Sequence, residues 1–152
     1  MAWTDEAIPL LRGMIGDTET PVEYSDNRLI DMLYYAAFLV SQRVDFEYDY
    51  SITVSTLVIT PDPTTDVSFL ALVCLKTKQM IYQSEYKTAS LKAYNIKDGP
   101  SSIDGRSMAE AKKKLFDDTK KEYDDAEYQY QAGNYTVGEA IVSPFRTTYS
   151  DI

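Results

Sequence analysis

Residues 66–82 read DVSFLALVCLKTKQMIY, and within 67–75 only Ser68 interrupts an otherwise apolar run. A helix through this run has no wholly polar face, so it must be covered on most sides. A short apolar run also fits a buried strand. This one continues into a helix-favouring Leu–Lys–Thr–Lys–Gln–Met segment, and Met80, Ile81 and Tyr82 then fall to one side. The sequence therefore predicts a central helix, entered from Pro61 and Pro63 and extending to about Lys87. Asp66 is its expected N-cap, because a carboxylate there accepts from the free amides of the first turn.

The chain has 152 residues, enough for one domain with a sizeable core. It carries a formal net charge of −9 and no histidine. So acidic a surface argues against phosphate-backbone binding. It suits a surface that faces DNA without holding it, since like charges repel. Without histidine, the commonest metal ligand and general base are missing. Cys74 is the single cysteine and lies in the apolar run, so neither an intrachain disulfide nor a thiolate zinc cluster is expected. The first residues, MAWTDEAIPLL, lack the basic start and long apolar stretch of a signal peptide. No run approaches the roughly 20 apolar residues that span a bilayer.

A first helix is expected over residues 4–14, capped by Thr4, with Trp3 and Ile8 as a hydrophobic staple and Pro9 an awkward interior residue. A polar loop follows. Ser25 then caps a second helix over residues 26–42, with an inward stripe of Leu29, Leu33, Ala36, Ala37 and Val40. From Val44 the period changes to two: Val44, Phe46, Tyr48, Tyr50, Ile52 and Val54 alternate with polar residues. That predicts a strand with one dry face. The phase slips at Ser55–Thr56, where Leu57 and Ile59 take over, so a bulge, bend or turn is expected there. After the central helix, residues 90–97 suit a short strand or an extended connector, and Asp98-Gly99-Pro100 is a turn. Ser107 and Glu110 form a capping box opening a last helix. Its expected inward stripe is Met108, Ala111, Leu115, Thr119, Tyr123, Ala126 and Tyr130, with Gly133 as its stop. The fold class is thus mainly α: about four helices bundled around a central apolar helix, with a strand or hairpin inserted at about 44–60. Residues 1–143 form the domain and residues 144–152 an extended C-terminal arm.

The carboxylates are numerous but poorly placed for chemistry. Asp117, Asp118, Asp124 and Asp125 alternate with lysines at helical pairing distances, which is ordinary surface pairing. Asp45, Glu47 and Asp49 read as the wet face of the strand. GMIGD is no phosphate loop, and IKDGPSSIDG lacks the acid spacing of a calcium loop. No catalytic, cofactor-binding or metal-binding residue is assigned, and no cofactor is expected.

The thirteen tyrosines exceed what one core requires. Tyrosine joins buried area to a hydrogen-bonding tip and suits protein interfaces. Phe46, Tyr48, Tyr50, Ile52 and Val54 are therefore interface candidates, or else a cover for the helices. Phe145, Arg146, Tyr149 and Ile152 in the arm are the other candidates.

Three stretches resemble one family when taken in order: LLRGMIGDTETPVEYSDNRLIDMLYYAAFLV, VITPDPTTDVSFLALVCLKTKQMI and IKDGPSSIDGRSMAEAKKKL. A helix and acidic loop lead to an Asp-led second helix; a strand ends in Pro-Asp-Pro before an apolar helix; a turn precedes a long charged helix. This order is similar to that of head–tail connector proteins (adaptor, head-completion or neck proteins) of tailed bacteriophages. The resemblance implies a non-enzymatic virion protein, assembled in the host cytoplasm as a ring, usually of twelve copies. Such a ring docks on the portal protein, meets a tail-side neck or tail-completion protein and lets DNA pass without sequence-specific binding or membrane contact. The long aromatic strand departs from that pattern. An alternative is a small bacterial helical regulatory or scaffolding protein that binds its partner through the tyrosine-rich strand. A hydrolase using paired carboxylates and magnesium is a third, weaker reading.

Overall fold

The computed structural model describes residues 2–95 and 105–134. Helix α1 (Trp3–Ile15) and helix α2 (Asp26–Arg43) lead to a hairpin of β1 (Ser51–Thr53) and β2 (Val58–Thr60). A single 3-10 turn (Pro63–Thr65) then enters α3 (Val67–Asn95), which pairs with α4 (Gly105–Asn134). The protein is a mainly helical bundle with a small antiparallel sheet, and the N-terminal half of α3 lies at its centre. Among the described residues no helix is long and apolar enough to cross a membrane.

Helix α1 starts one residue earlier than its sequence suggests. Thr4 does not cap it; the Asp5 carboxylate instead accepts the Ala2 amide at 3.0 Å. Pro9 sits inside the helix without ending it. Trp3 serves as an anchor: it is buried, meets the Tyr34 ring edge-on with centroids 5.2 Å apart, and donates Nε1–H to the Tyr34 hydroxyl at 3.2 Å. Gly16 closes the helix in the left-handed region, φ +76°, which glycine adopts without steric cost. Arg12 then pins the following loop. It pairs with Asp17 and Asp26 and donates to the Tyr24 carbonyl at 2.8 Å.

Ser25 caps α2, and all five stripe residues are buried. The central helix also takes its expected cap: Asp66 Oδ1 accepts the Phe69 amide at 3.0 Å. Phe69, Leu70, Leu72, Val73 and Cys74 are buried against α1, α2 and α4, so most sides of the apolar run are covered. Val67, in the first turn, is 75% exposed.

The expected long strand is corrected. Residues 44–50 form no strand, and the sheet is confined to three pairs, Ser51↔Thr60, Ile52↔Ile59 and Thr53↔Val58. The phase slip at Ser55–Thr56 is the turn of this hairpin, with Leu57 at φ +52°. A left-handed leucine costs about 1–2 kcal/mol, and its half-buried side chain packs on the core. Within 44–50, Val44, Phe46 and Tyr50 lie against the helices while Asp45, Glu47, Tyr48 and Asp49 are exposed, so the alternation is kept only in part and without a partner strand.

Three further expectations change. Residues 90–95 extend α3 instead of forming a strand or connector, because nothing in SLKAYN breaks a helix that α4 supports along its length. Helix α4 begins at Gly105, so Ser107 lies within its first turn and does not cap it, and Gly133 lies inside its last turn. Most telling is the stripe. An inner line of Ala109, Lys112, Phe116, Thr119, Tyr123, Ala126 and Tyr130 is covered, with Glu127 and Gln131 beside it, whereas Met108, Ala111 and Leu115 are exposed. The covered series alternates steps of three and four residues, which keeps a seam facing one partner helix. Following apolarity alone shifts the upper half of the stripe by one residue.

Candidate interaction surface

Phe46 and Tyr50 fold onto the helices. Phe46 lies 5.0 Å from the Phe69 ring and 5.3 Å from that of Tyr130. Tyr50 lies 4.2 Å from Phe69 and donates its hydroxyl to Asp66 Oδ2 at 2.8 Å. Burial, then the bond to Asp66, raises the Tyr50 pKa above its ordinary value. Ile52 and Val54 are half-buried, and Ile52 packs on the core. Tyr48 is the exposed member, at 47%. It borders a dimple of about 100 Å³ lined also by Ser41, Val44, Asp45, Phe46, Asp49 and Tyr50. Phe145, Arg146, Tyr149 and Ile152 lie outside the described residues.

A surface that the stripe of α2 did not reveal is the opposite face of that helix. Tyr35, Phe38 and Leu39 point outward, each more than 40% exposed. They sit at i, i+3 and i+4, so they are neighbours on one face. The signal is in the sequence: residues 32–40, MLYYAAFLV, contain no charged or amide side chain. A helix apolar all round requires cover all round. Here α1 and α3 cover one side.

A third exposed apolar group lies on the far half of the α3–α4 hairpin, where Leu91, Met108 and Leu115 are 61%, 63% and 45% exposed. Beside it is a cleft of about 430 Å³ between the loop before α2 and the two long helices. Glu85 spans its floor: Lys112 donates to one carboxylate oxygen at 2.8 Å and the Tyr24 hydroxyl to the other. Burial pushes Glu85 upward, but these two hydrogen bonds together with the charges of Lys112 and Arg28 outweigh it and leave the carboxyl below its ordinary value. Burial, then Glu85, raises Tyr24, so its phenol stays protonated at neutral pH. The three groups tie a loop to two helices.

Between α2, α3 and α4 runs a polar seam. Arg43 pairs with Glu127 at 3.3 Å, and Gln131 donates to the Arg43 carbonyl at 3.1 Å. Lys76 Nζ lies 4.8 Å from the centroid of the fully buried Tyr123 ring. Among the described residues the Tyr123 hydroxyl and Glu127 Oε2 are buried without a hydrogen-bond partner. Cys74 is buried, and burial pushes its thiol up to about 12, so it is not a thiolate at neutral pH. Among the described residues no group of three or more potential ligand side chains is placed to hold a metal ion. What the arrangement offers most plainly is exposed apolar and aromatic area on three parts of the surface. No protein-family model, curated protein or solved structure matches the chain.

Proposed function

We propose that this is a structural assembly protein, working as a head–tail connector: a ring of copies that docks on a portal and continues a DNA channel toward a tail. The observation that carries the reading is the outward face of α2. Tyr35, Phe38 and Leu39 are large, adjacent and each more than 40% exposed among the described residues. Exposed apolar patches of this kind mark interaction sites, and helix faces of this width pack against further helices. The element order of the connector family supports the specific assignment. The net charge of −9 supports a channel wall that DNA slides past.

Static light scattering of the purified chain, alone and with portal rings, tests the proposal. A multiple of 17.3 kDa, or co-migration with portal, is the expected result. A chain that stays monomeric and ignores portal rings overturns it.

A further inference from the structure

Charge is unevenly divided along the long axis of the molecule. Residues 44–66 contain five acids (Asp45, Glu47, Asp49, Asp62 and Asp66) and no basic residue. At the other end, residues 86–92 and 105–114 carry Lys87, Lys92, Arg106, Lys112, Lys113 and Lys114 against Glu110 alone. The two ends lie at opposite extremes of α3. The acidic end packs on Phe69, the basic end includes Leu91, and 22 helical residues separate these by about 33 Å. The ends are therefore too far apart to neutralise one another within one chain.

Each end also carries exposed apolar side chains among the described residues. At the acidic end are Tyr48, Val58 and, along α2 from the dimple-lining Ser41, Phe38. At the basic end are Leu91, Met108 and Leu115. Charge complementarity and apolar area thus coincide on both patches, which differ in sequence and position.

We propose that the basic end of the α3–α4 pair of one copy (the tip, residues 86–92 and 105–114) seats on the acidic, aromatic end of a second copy. The inference rests on the reading that the chain assembles with itself, and adds which surfaces meet. Two unlike patches make a head-to-tail contact, and repeating that contact generates a ring when the rotation closes. The apolar centres supply buried area, and the surrounding charges set orientation and partner choice. Lys112 is held by Glu85, so the outer lysines carry the charge contact.

The test uses the full chain in sedimentation velocity at 0.05 M and 0.5 M salt, across a concentration series. Self-association is expected to weaken by about tenfold or more at the higher salt, because exposed charges are screened. The tip variant Lys87→Glu/Lys92→Glu/Lys113→Glu and the body variant Glu47→Lys/Asp49→Lys are each expected to lose self-association while keeping the wild-type circular dichroism spectrum. Mixing the two is expected to restore a complex, since one variant keeps each native surface and the two reversed surfaces again attract. Wild-type assembly that neither reversal weakens overturns this contact and leaves the connector reading intact. A monomeric wild type that still binds portal also overturns it while sparing that reading; a monomer that ignores portal overturns both. A tip reversal that abolishes retention of double-stranded DNA while self-association is unchanged assigns the tip to nucleic acid and overturns the contact.

Discussion

The Tyr50 hydroxyl donates to Asp66 Oδ2 at 2.8 Å, while the other oxygen of that carboxylate caps α3 through the Phe69 amide. One side chain thus ties the residue that enters the β-hairpin to the first turn of the central helix. Asp66→Ala is expected to cost about 1–2 kcal/mol, the usual loss for a carboxylate cap. Tyr50→Phe removes the hydroxyl and keeps the ring on Phe69, so about 0.5–1.5 kcal/mol is expected. Urea titration of the two single variants and the double variant measures their coupling. Strict additivity would separate the cap from the tether.

Leu72 and Val67 lie five residues apart on α3 with opposite surroundings. Leu72 is 4% exposed and Val67 75%. Leu72→Asp places an unpaired charge in the core and is expected to leave no cooperative thermal transition. Val67→Asp puts the same charge in water at the positive end of the helix and is expected to change stability by less than about 1 kcal/mol. Equal effects in circular dichroism melting would contradict the burial of the central helix.

On α2, Phe38→Ser with Leu39→Ser is expected to leave the melting temperature within a few degrees of wild type, because both side chains face outward. The same pair is expected to lower the assembled fraction in light scattering. Leu33→Ser, on the covered side, is expected to destabilise the monomer by about 2–4 kcal/mol. If the outward pair instead unfolds the chain, that face belongs to the monomer core.

Stability is expected to fall at both extremes of pH. The Glu23 amide, opposed by burial and helped by the Tyr24 amide and Arg12, holds the Asp17 carboxyl below its ordinary 3.8. Glu85 is likewise held below 4.5. Their contributions are present above those ordinary values and are lost as pH falls through the lower folded ones. Tyr24, Tyr50 and Tyr123 are raised above 10, each by burial first and then by a neighbouring carboxylate. Their contributions are complete below pH 10, begin to decline above it and are lost as pH rises through the folded values. Melting temperature followed from pH 3 to 11 checks this; a flat alkaline limb would mean that the three phenols are as accessible folded as unfolded.

The central helix, its Asp66 cap and the inward face of α2 were legible because each rests on local chemistry: an apolar run, a capping carboxylate, a 3.6-residue repeat. The surfaces were less so. Residues 44–50 alternate like a strand, yet their inward side chains answer to Phe69 and Tyr130, which are distant in sequence. In α4 the choice between Leu115 and Phe116 as the covered residue depends on the register with α3, and Lys112 takes an inward place through Glu85. The outward face of α2 is written in MLYYAAFLV, but one inward stripe already satisfies the helical repeat, so the second face carries no periodic signal of its own.

The seam formed by Lys76, Tyr123, Glu127 and Arg43 bears on how two long, nearly uniform rods find a single alignment. Greasy surfaces of similar composition slide past one another at little cost. Moving α4 by one turn would carry the aromatic ring away from the ammonium and strand the carboxylate far from its guanidinium. The seam therefore acts as a notch that admits one docking position, and whatever the far end of the rods grasps is held at a fixed height above the body.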